Sequence, residues 1–168
     1  LENVTQCLTV EAGSYSLVGS TEASGICDPG WYCPAGSTTP RQLPCDKGTY
    51  RHLPGARNST ECTPCLPGFY CPRASADPIG CPRGYYCIEG IGEPEPCPPG
   101  TYGSMYGLRS SSECTPCDGG TYCDEYGLTS PAGQCAPGYF CLEGSYSNTP
   151  QHLIQFNGSL SLGNIVGN

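Results

Sequence analysis

Cys65-Leu66-Pro67-Gly68-Phe69-Tyr70-Cys71 is a seven-residue signature: cysteine, two residues, glycine, one residue, aromatic, cysteine. The chain states it five times, from Cys27, Cys65, Cys81, Cys117 and Cys135. Two further copies, Cys45-Asp46-Lys47-Gly48-Thr49-Tyr50 and Cys97-Pro98-Pro99-Gly100-Thr101-Tyr102, keep the turn and the aromatic but lack the closing cysteine. A worn copy without either cysteine sits at Ala12-Gly13-Ser14-Tyr15. In Pro67-Gly68 the proline presets φ and the glycine supplies a positive φ, the requirements of a type II turn. The aromatic that follows gives a disulfide-rich module a flat apolar surface. Each copy reads as a tight turn, an aromatic lid and a covalent anchor.

The composition fits a chain built from such copies. Leu, Ile, Val and Phe number 25 of 168 residues, below the roughly 20% at which disorder is the usual expectation. The 24 glycines and 18 prolines point the same way, and 15 cysteines oppose them. A chain this poor in aliphatics and rich in cysteine is held by disulfides instead of a large core. The expected fold class is small and disulfide-rich: an elongated array of cysteine-rich repeats with short β-hairpins and turns, little helix and a C-terminal β-strand tail. Disulfides persist in secreted and surface proteins, so the expected location is extracellular. Three glycosylation sequons, at Asn3, Asn58 and Asn157, agree. There is no signal peptide or membrane span, which suggests a mature or excised segment of a secreted chain. A formal charge of −8 with seven basic residues argues against nucleic-acid or anionic-membrane binding.

Cysteine spacing sets the organisation. Cys45, Cys62, Cys65 and Cys71 recur 52 residues later at Cys97, Cys114, Cys117 and Cys123. A period of this size marks a repeat array. It divides the chain into a partial unit at 1–44, repeats at 45–96 and 97–144, and a linker with an apolar tail at 145–168. Gly or Pro interrupts nearly every six residues, so strands, turns and loops are expected, with small hairpins in 46–61 and 98–113. The tail breaks the pattern: from Leu153 onward it has no cysteine or proline. Ile154, Phe156, Leu160 and Leu162 share one parity, the period-2 alternation of a strand with one apolar face. Such a strand needs a sheet to join.

Few motifs suggest chemistry. Cys62-x2-Cys65 and Cys114-x2-Cys117 have zinc-ligand spacing, but the sequons, the cysteine density and only two histidines, His52 and His152, favour adjacent cysteines of separate disulfides. His52 reads as an exposed loop residue, and Glu93 and Glu95 as linker charges. Cys123-Asp124-Glu125 is too sparse for calcium. No catalytic constellation and no cofactor site stand out.

The units Cys45-x2-Gly48-Thr49-Tyr50-x11-Cys62-x2-Cys65 and Cys65-x-Pro67-Gly68-x-Tyr70-Cys71 resemble the ephrin-receptor-like cysteine-rich repeat, itself similar to modules of tumour-necrosis-factor receptors. The resemblance covers about residues 27–144. It implies an extracellular scaffold or binding module, as in receptors, protist surface proteins and mastigoneme-type glycoproteins, and supplies no catalytic residue. It also implies closure of the sixteen-residue loops by Cys45–Cys62 and Cys97–Cys114. Two schemes stay open for the signatures. The favoured one is crossed: Cys65–Cys81, Cys71–Cys87, Cys117–Cys135 and Cys123–Cys141. The other links successive signatures through Cys33–Cys45, Cys87–Cys97 and Cys123–Cys135. Fifteen is odd; Cys7, Cys27 and Cys33 are left over, and Cys7 is the first candidate for a bond to another chain.

The expectation is a non-enzymatic structural subunit or spacer of an extracellular glycoprotein filament or matrix. It would self-associate or bind another extracellular glycoprotein, carry covalent glycans, and assemble by strand donation from the tail. The alternatives for the tail are pairing within the chain, beside residues 1–10, and membership of a downstream domain. The alternative function is a receptor or adhesion ectodomain that binds a protein ligand.

Overall fold

In the computed structural model, residues 9–150 are described in full, and His152–Phe156 and Ser159–Gly163 by their backbone. The described residues form short antiparallel strand pairs and two single 3-10 turns, Ser59–Glu61 and Ser111–Glu113. The chain divides into two compact units, residues 1–79 with 88–93, and 80–87 with 94–168.

The signature turn forms eight times, at Gly13, Gly30, Gly48, Gly68, Gly84, Gly100, Gly120 and Gly138, with φ between 81° and 93°. In each, the residue after the glycine donates back across the turn, as Phe69 N–H does to the Leu66 carbonyl at 3.1 Å. This is the type II geometry that Pro-Gly favours. The worn copy at Gly13 is therefore a full member. At the first seven glycines the turn feeds a two-residue strand, and that strand pairs with the two residues before the next module. Thus β1 (Ser14–Tyr15) pairs with β2 (Gly25–Ile26), β3 (Trp31–Tyr32) with β4 (Leu43–Pro44), and β5 (Thr49–Tyr50) with β6 (Thr63–Pro64). The pattern continues with β7 (Phe69–Tyr70) and β8 (Ile79–Gly80), β9 (Tyr85–Tyr86) and β10 (Glu95–Pro96), β11 (Thr101–Tyr102) and β12 (Thr115–Pro116), and β13 (Thr121–Tyr122) and β14 (Gly133–Gln134). The structural repeat is this single hairpin module, and the 52-residue period is three of them.

The disulfides overturn both schemes for the signatures. Each signature closes on itself: Cys27–Cys33, Cys65–Cys71, Cys81–Cys87, Cys117–Cys123 and Cys135–Cys141. The physical reason is the turn. It reverses the chain within four residues, which leaves the first and last cysteines with Cα atoms 5.8–6.0 Å apart, inside the range a disulfide spans. Crossed pairing would have to carry these sulfurs past a neighbour already in place. Where the closing cysteine is missing, Arg51 and Gly103 stand in its position, and the opening cysteine bonds across the long loop instead. These bonds are Cys45–Cys62 and Cys97–Cys114, as the resemblance implied. Seven bonds consume fourteen of the 15 cysteines. The remaining one, Cys7, lies outside the described residues.

The sulfurs make the core. Eleven cysteines are fully buried, Cys62 and Cys114 are buried with them, and the other buried apolar side chains among the described residues are Ala56 and Leu108. Leu108 packs on Cys97 and Cys114, with the half-buried Tyr86 against them. Sulfur in a disulfide buries apolar surface with little side-chain entropy to lose, which suits modules too small for an aliphatic core.

The tail is not one strand. β15 (His152–Phe156) pairs antiparallel with β16 (Ser159–Gly163) in a register that sets Leu153 opposite Leu162 and Phe156 opposite Ser159. Two residues, Asn157 and Gly158, separate the strands, and Asn-Gly is a strong sequence sign of a two-residue hairpin connection. The shared parity of Ile154, Phe156, Leu160 and Leu162 does not survive this register, because Ile154 and Phe156 pair with serines and Leu160 pairs with Gln155. The side chains of the tail lie outside the described residues.

Candidate functional site: the junction between modules

Each module carries a second backbone device. Six or seven residues after the turn glycine comes another position with positive φ: Gly19, Gly36, Gly55, Ala74, Gly90, Gly107, Gly127 and Gly144. From Gly36 onward, this position and the residue after it form a dipeptide that docks on the preceding module. The junction between the Gly30 and Gly48 modules shows how. Gly55 N–H donates to the Cys27 carbonyl at 2.9 Å, and Cys33 N–H donates to the Ala56 carbonyl at 2.9 Å. Gly30 N–H donates to the Arg51 carbonyl at 2.8 Å, and Cys45 N–H donates to the Gly30 carbonyl at 2.9 Å. Four main-chain bonds thus fix one module on the next.

The same four bonds recur, between 2.7 and 3.1 Å, where the Gly13, Gly48, Gly84, Gly100 and Gly120 modules each meet the one that follows. At the Gly13 module, Val10 and Ser16 occupy the two cysteine positions, and the bonds from Gly36 N–H to Val10 and from Ser16 N–H to Ser37 still form, both at 3.0 Å. The register is therefore written in the backbone, and the disulfide locks it. Each net hydrogen bond is worth about 0.5–1.5 kcal/mol, and leaving these groups buried and unpaired would cost more.

The long loops add local caps. Asn58 accepts from Thr60 N–H at 3.0 Å, and its exposed side chain begins the turn Ser59–Glu61. The Ser110 counterpart makes no such cap. Glu61 and Glu113 accept from the backbone of Arg57 and Arg109, at 3.2 and 2.8 Å. Asn58 is the one sequon among the described residues; Asn3 and Asn157 lie outside them. His52 is exposed and pairs with Asp77 at 2.6 Å. Cys62 and Cys65 belong to different disulfides, as do Cys114 and Cys117, so none of the four offers a thiolate to zinc. Tyr86 faces Glu95 across β9–β10. A hydrogen bond to Glu95, then burial, then the Glu95 charge hold its hydroxyl above the usual tyrosine range. No helix among the described residues is long and apolar enough to cross a membrane.

The second positive-φ position escaped the cysteine-based reading. Its signal was available: a glycine six or seven residues after the turn glycine in seven of the eight modules. Seven disulfides among the described residues fit an oxidising, secreted environment. Comparison of the chain with protein-family models and with curated proteins finds no match.

Proposed function

We propose that the chain is a structural subunit or spacer of an extracellular glycoprotein filament or matrix, built from ephrin-receptor-like cysteine-rich modules. The observation that carries this reading is the junction. A module that holds its neighbour through four main-chain bonds, regardless of side chains, makes length and stiffness by repetition. Its cysteine positions can be spent on locking and its surface left to vary. The exposed Asn58 sequon gives one place for a glycan, and the β15–β16 hairpin has strand edges that a neighbouring subunit could extend. Electron microscopy of native, glycosylated material tests the proposal: filaments or a regular mesh are expected, and dispersed single particles at every concentration would overturn it.

A second reading has its own support. Leu53, Met105, Tyr106 and Tyr126 project from loops with at least 60% of their surface exposed. Exposed apolar side chains of this size are common anchors for protein ligands. A receptor or adhesion ectodomain would stay monomeric and lose its ligand when these are replaced by serine.

A further inference from the structure

Three departures from the repeat fall in one place. Of the eight turns, four carry a carboxylate two residues before the glycine and four carry an aromatic just after it. The Gly30 turn alone carries both, Asp28 and Trp31, and Trp31 is the one tryptophan of the chain. Two modules on, the docking position that covers this turn is Ala74, the copy that places a methyl at positive φ, 64°. Its carbonyl lies over Gly30, in the space a Cβ there would fill. Backbone strain of this kind tends to collect at ligand sites. Trp31 and Asp28 are half-buried, and exposed Arg41 donates from Nε to Asp28 Oδ2 at 2.8 Å. Asp28, Pro29, Trp31, Arg41, Ala74 and Ala76 line one open depression of about 620 Å³, a volume that suits a small ligand. All six belong to the same compact unit. A counterpart depression forms at Gly100, between Pro99, Thr101, Pro116 and Glu143, without an aromatic.

We propose that the Trp31 depression binds a carbohydrate, through one pyranose ring whose substituents are equatorial. Each part of the site narrows the ligand. The indole is a broad apolar surface with a negative face, which the C–H face of such a ring covers. Arg41 neutralises Asp28, so the site favours neither a cation on the carboxylate nor an anion on the guanidinium. The pair acts instead as a fixed set of hydrogen-bonding groups. One bond joins them, and a carboxylate has a second oxygen and a guanidinium further N–H groups to offer. Of two neighbouring ring hydroxyls, one would donate to Asp28 and the next would accept from Arg41, both as charge-assisted bonds. The methyls of Ala74 and Ala76 add apolar wall. β-1,4-linked glucose and β-1,4-linked N-acetylglucosamine chains share this ring chemistry. The site goes beyond the spacer reading and is independent of it, since a spacer and a receptor could each carry it.

The test uses the full chain and the fluorescence of Trp31, which as the one tryptophan reports this site alone. The probes are cellotriose, triacetylchitotriose, sorbitol and choline. A trisaccharide should shift the emission and saturate, with half-saturation on the order of 1 mM for so open a site. The tighter of the two identifies the source of the ring. Sorbitol, which has hydroxyls and no ring, should leave the emission unchanged. Asp28→Ala keeps the reporter, and alanine already holds this place at Ala136; half-saturation should rise about tenfold. Trp31→Thr should abolish the line broadening of the trisaccharide in ligand-observed NMR. Threonine holds the same place at Thr49, Thr101 and Thr121, so this variant folds. Phe69→Thr, the matching change at a turn with no carboxylate, should leave the broadening intact. Silence towards both trisaccharides, an equal response to sorbitol, or binding kept in Trp31→Thr or undiminished in Asp28→Ala would overturn the proposal. A response to choline alone would also overturn it, by making Trp31 the face of a cation site.

Discussion

The carbonyl of Gly90 lies over Gly48, in the space that a side chain on Gly48 would fill. Gly48 begins one module and Gly90 docks two modules later, so a turn residue is constrained by chain 42 positions away. The same relation joins Gly13 to Gly55 and Gly100 to Gly144, where a Cβ would come within 2.6 Å of the carbonyl oxygen. Gly138 has the same φ as Gly48, 87°, and nothing among the described residues within 4 Å of its Cβ position.

The pair separates backbone strain from crowding. Gly138→Ala carries only the left-handed penalty, about 1–2 kcal/mol. Gly48→Ala adds a collision with a backbone carbonyl that cannot rotate away, and should cost about 3 kcal/mol or more. Thermal melts of the two variants check this. Equal losses would show that the stacked carbonyl yields freely.

Ala74 is the inverse case. It is the one described residue other than glycine with a positive φ, 64°, and it docks on Cys45 like the glycines at its counterparts. Ala74→Gly relieves left-handed strain but frees the unfolded chain, and the two effects oppose each other. Relief is the larger, so the variant should gain about 0.5–1 kcal/mol. A lower melting temperature for Ala74→Gly would contradict it.

The eight turns could be read directly from the chain because Gly-x-aromatic requires only local chemistry, and even Gly13 kept it without cysteines. The disulfide pairing could not. Spacing says which cysteines are near in sequence, while pairing depends on where the turn returns the chain. Cys65 and Cys71 meet because the turn at Gly68 folds the five residues between them back on themselves. The second positive-φ position was obscured because its offset is six in some modules and seven in others, and one copy is alanine. The tail was misjudged because parity was followed through Asn157-Gly158, a pair that marks a reversal.

Disulfide mapping gives a direct check. Trypsin cuts after Arg83, inside the Cys81–Cys87 loop, so the two cysteines should appear in separate peptides joined by one bond. A peptide joining Cys87 to Cys97, or Cys65 to Cys81, would reject this pairing. The chain-entropy model also ranks the bonds. Removing Cys97–Cys114, with a sequence separation of 17, should cost about 3 kcal/mol. Removing Cys81–Cys87, with a separation of 6, should cost about 2 kcal/mol. Paired serine variants measured by denaturant unfolding would show the order.

Tyr86 links the strand ladder to pH. Its hydroxyl is raised from the ordinary value of 10.0 by the hydrogen bond to Glu95, then by burial and the Glu95 charge. The folded chain therefore holds the proton more tightly than the unfolded chain does. The stabilisation is fully present below pH 10, and it is lost as pH rises from there through the folded value. Glu95→Gln removes the charge and weakens the acceptor, so Tyr86 should titrate closer to 10 and the high-pH loss of stability should shrink. Ring carbon shifts of Tyr86, followed by NMR against pH in both proteins, measure the change. An identical titration in the variant would show that burial alone holds the proton, and Tyr86→Phe would still remove this alkaline loss of stability.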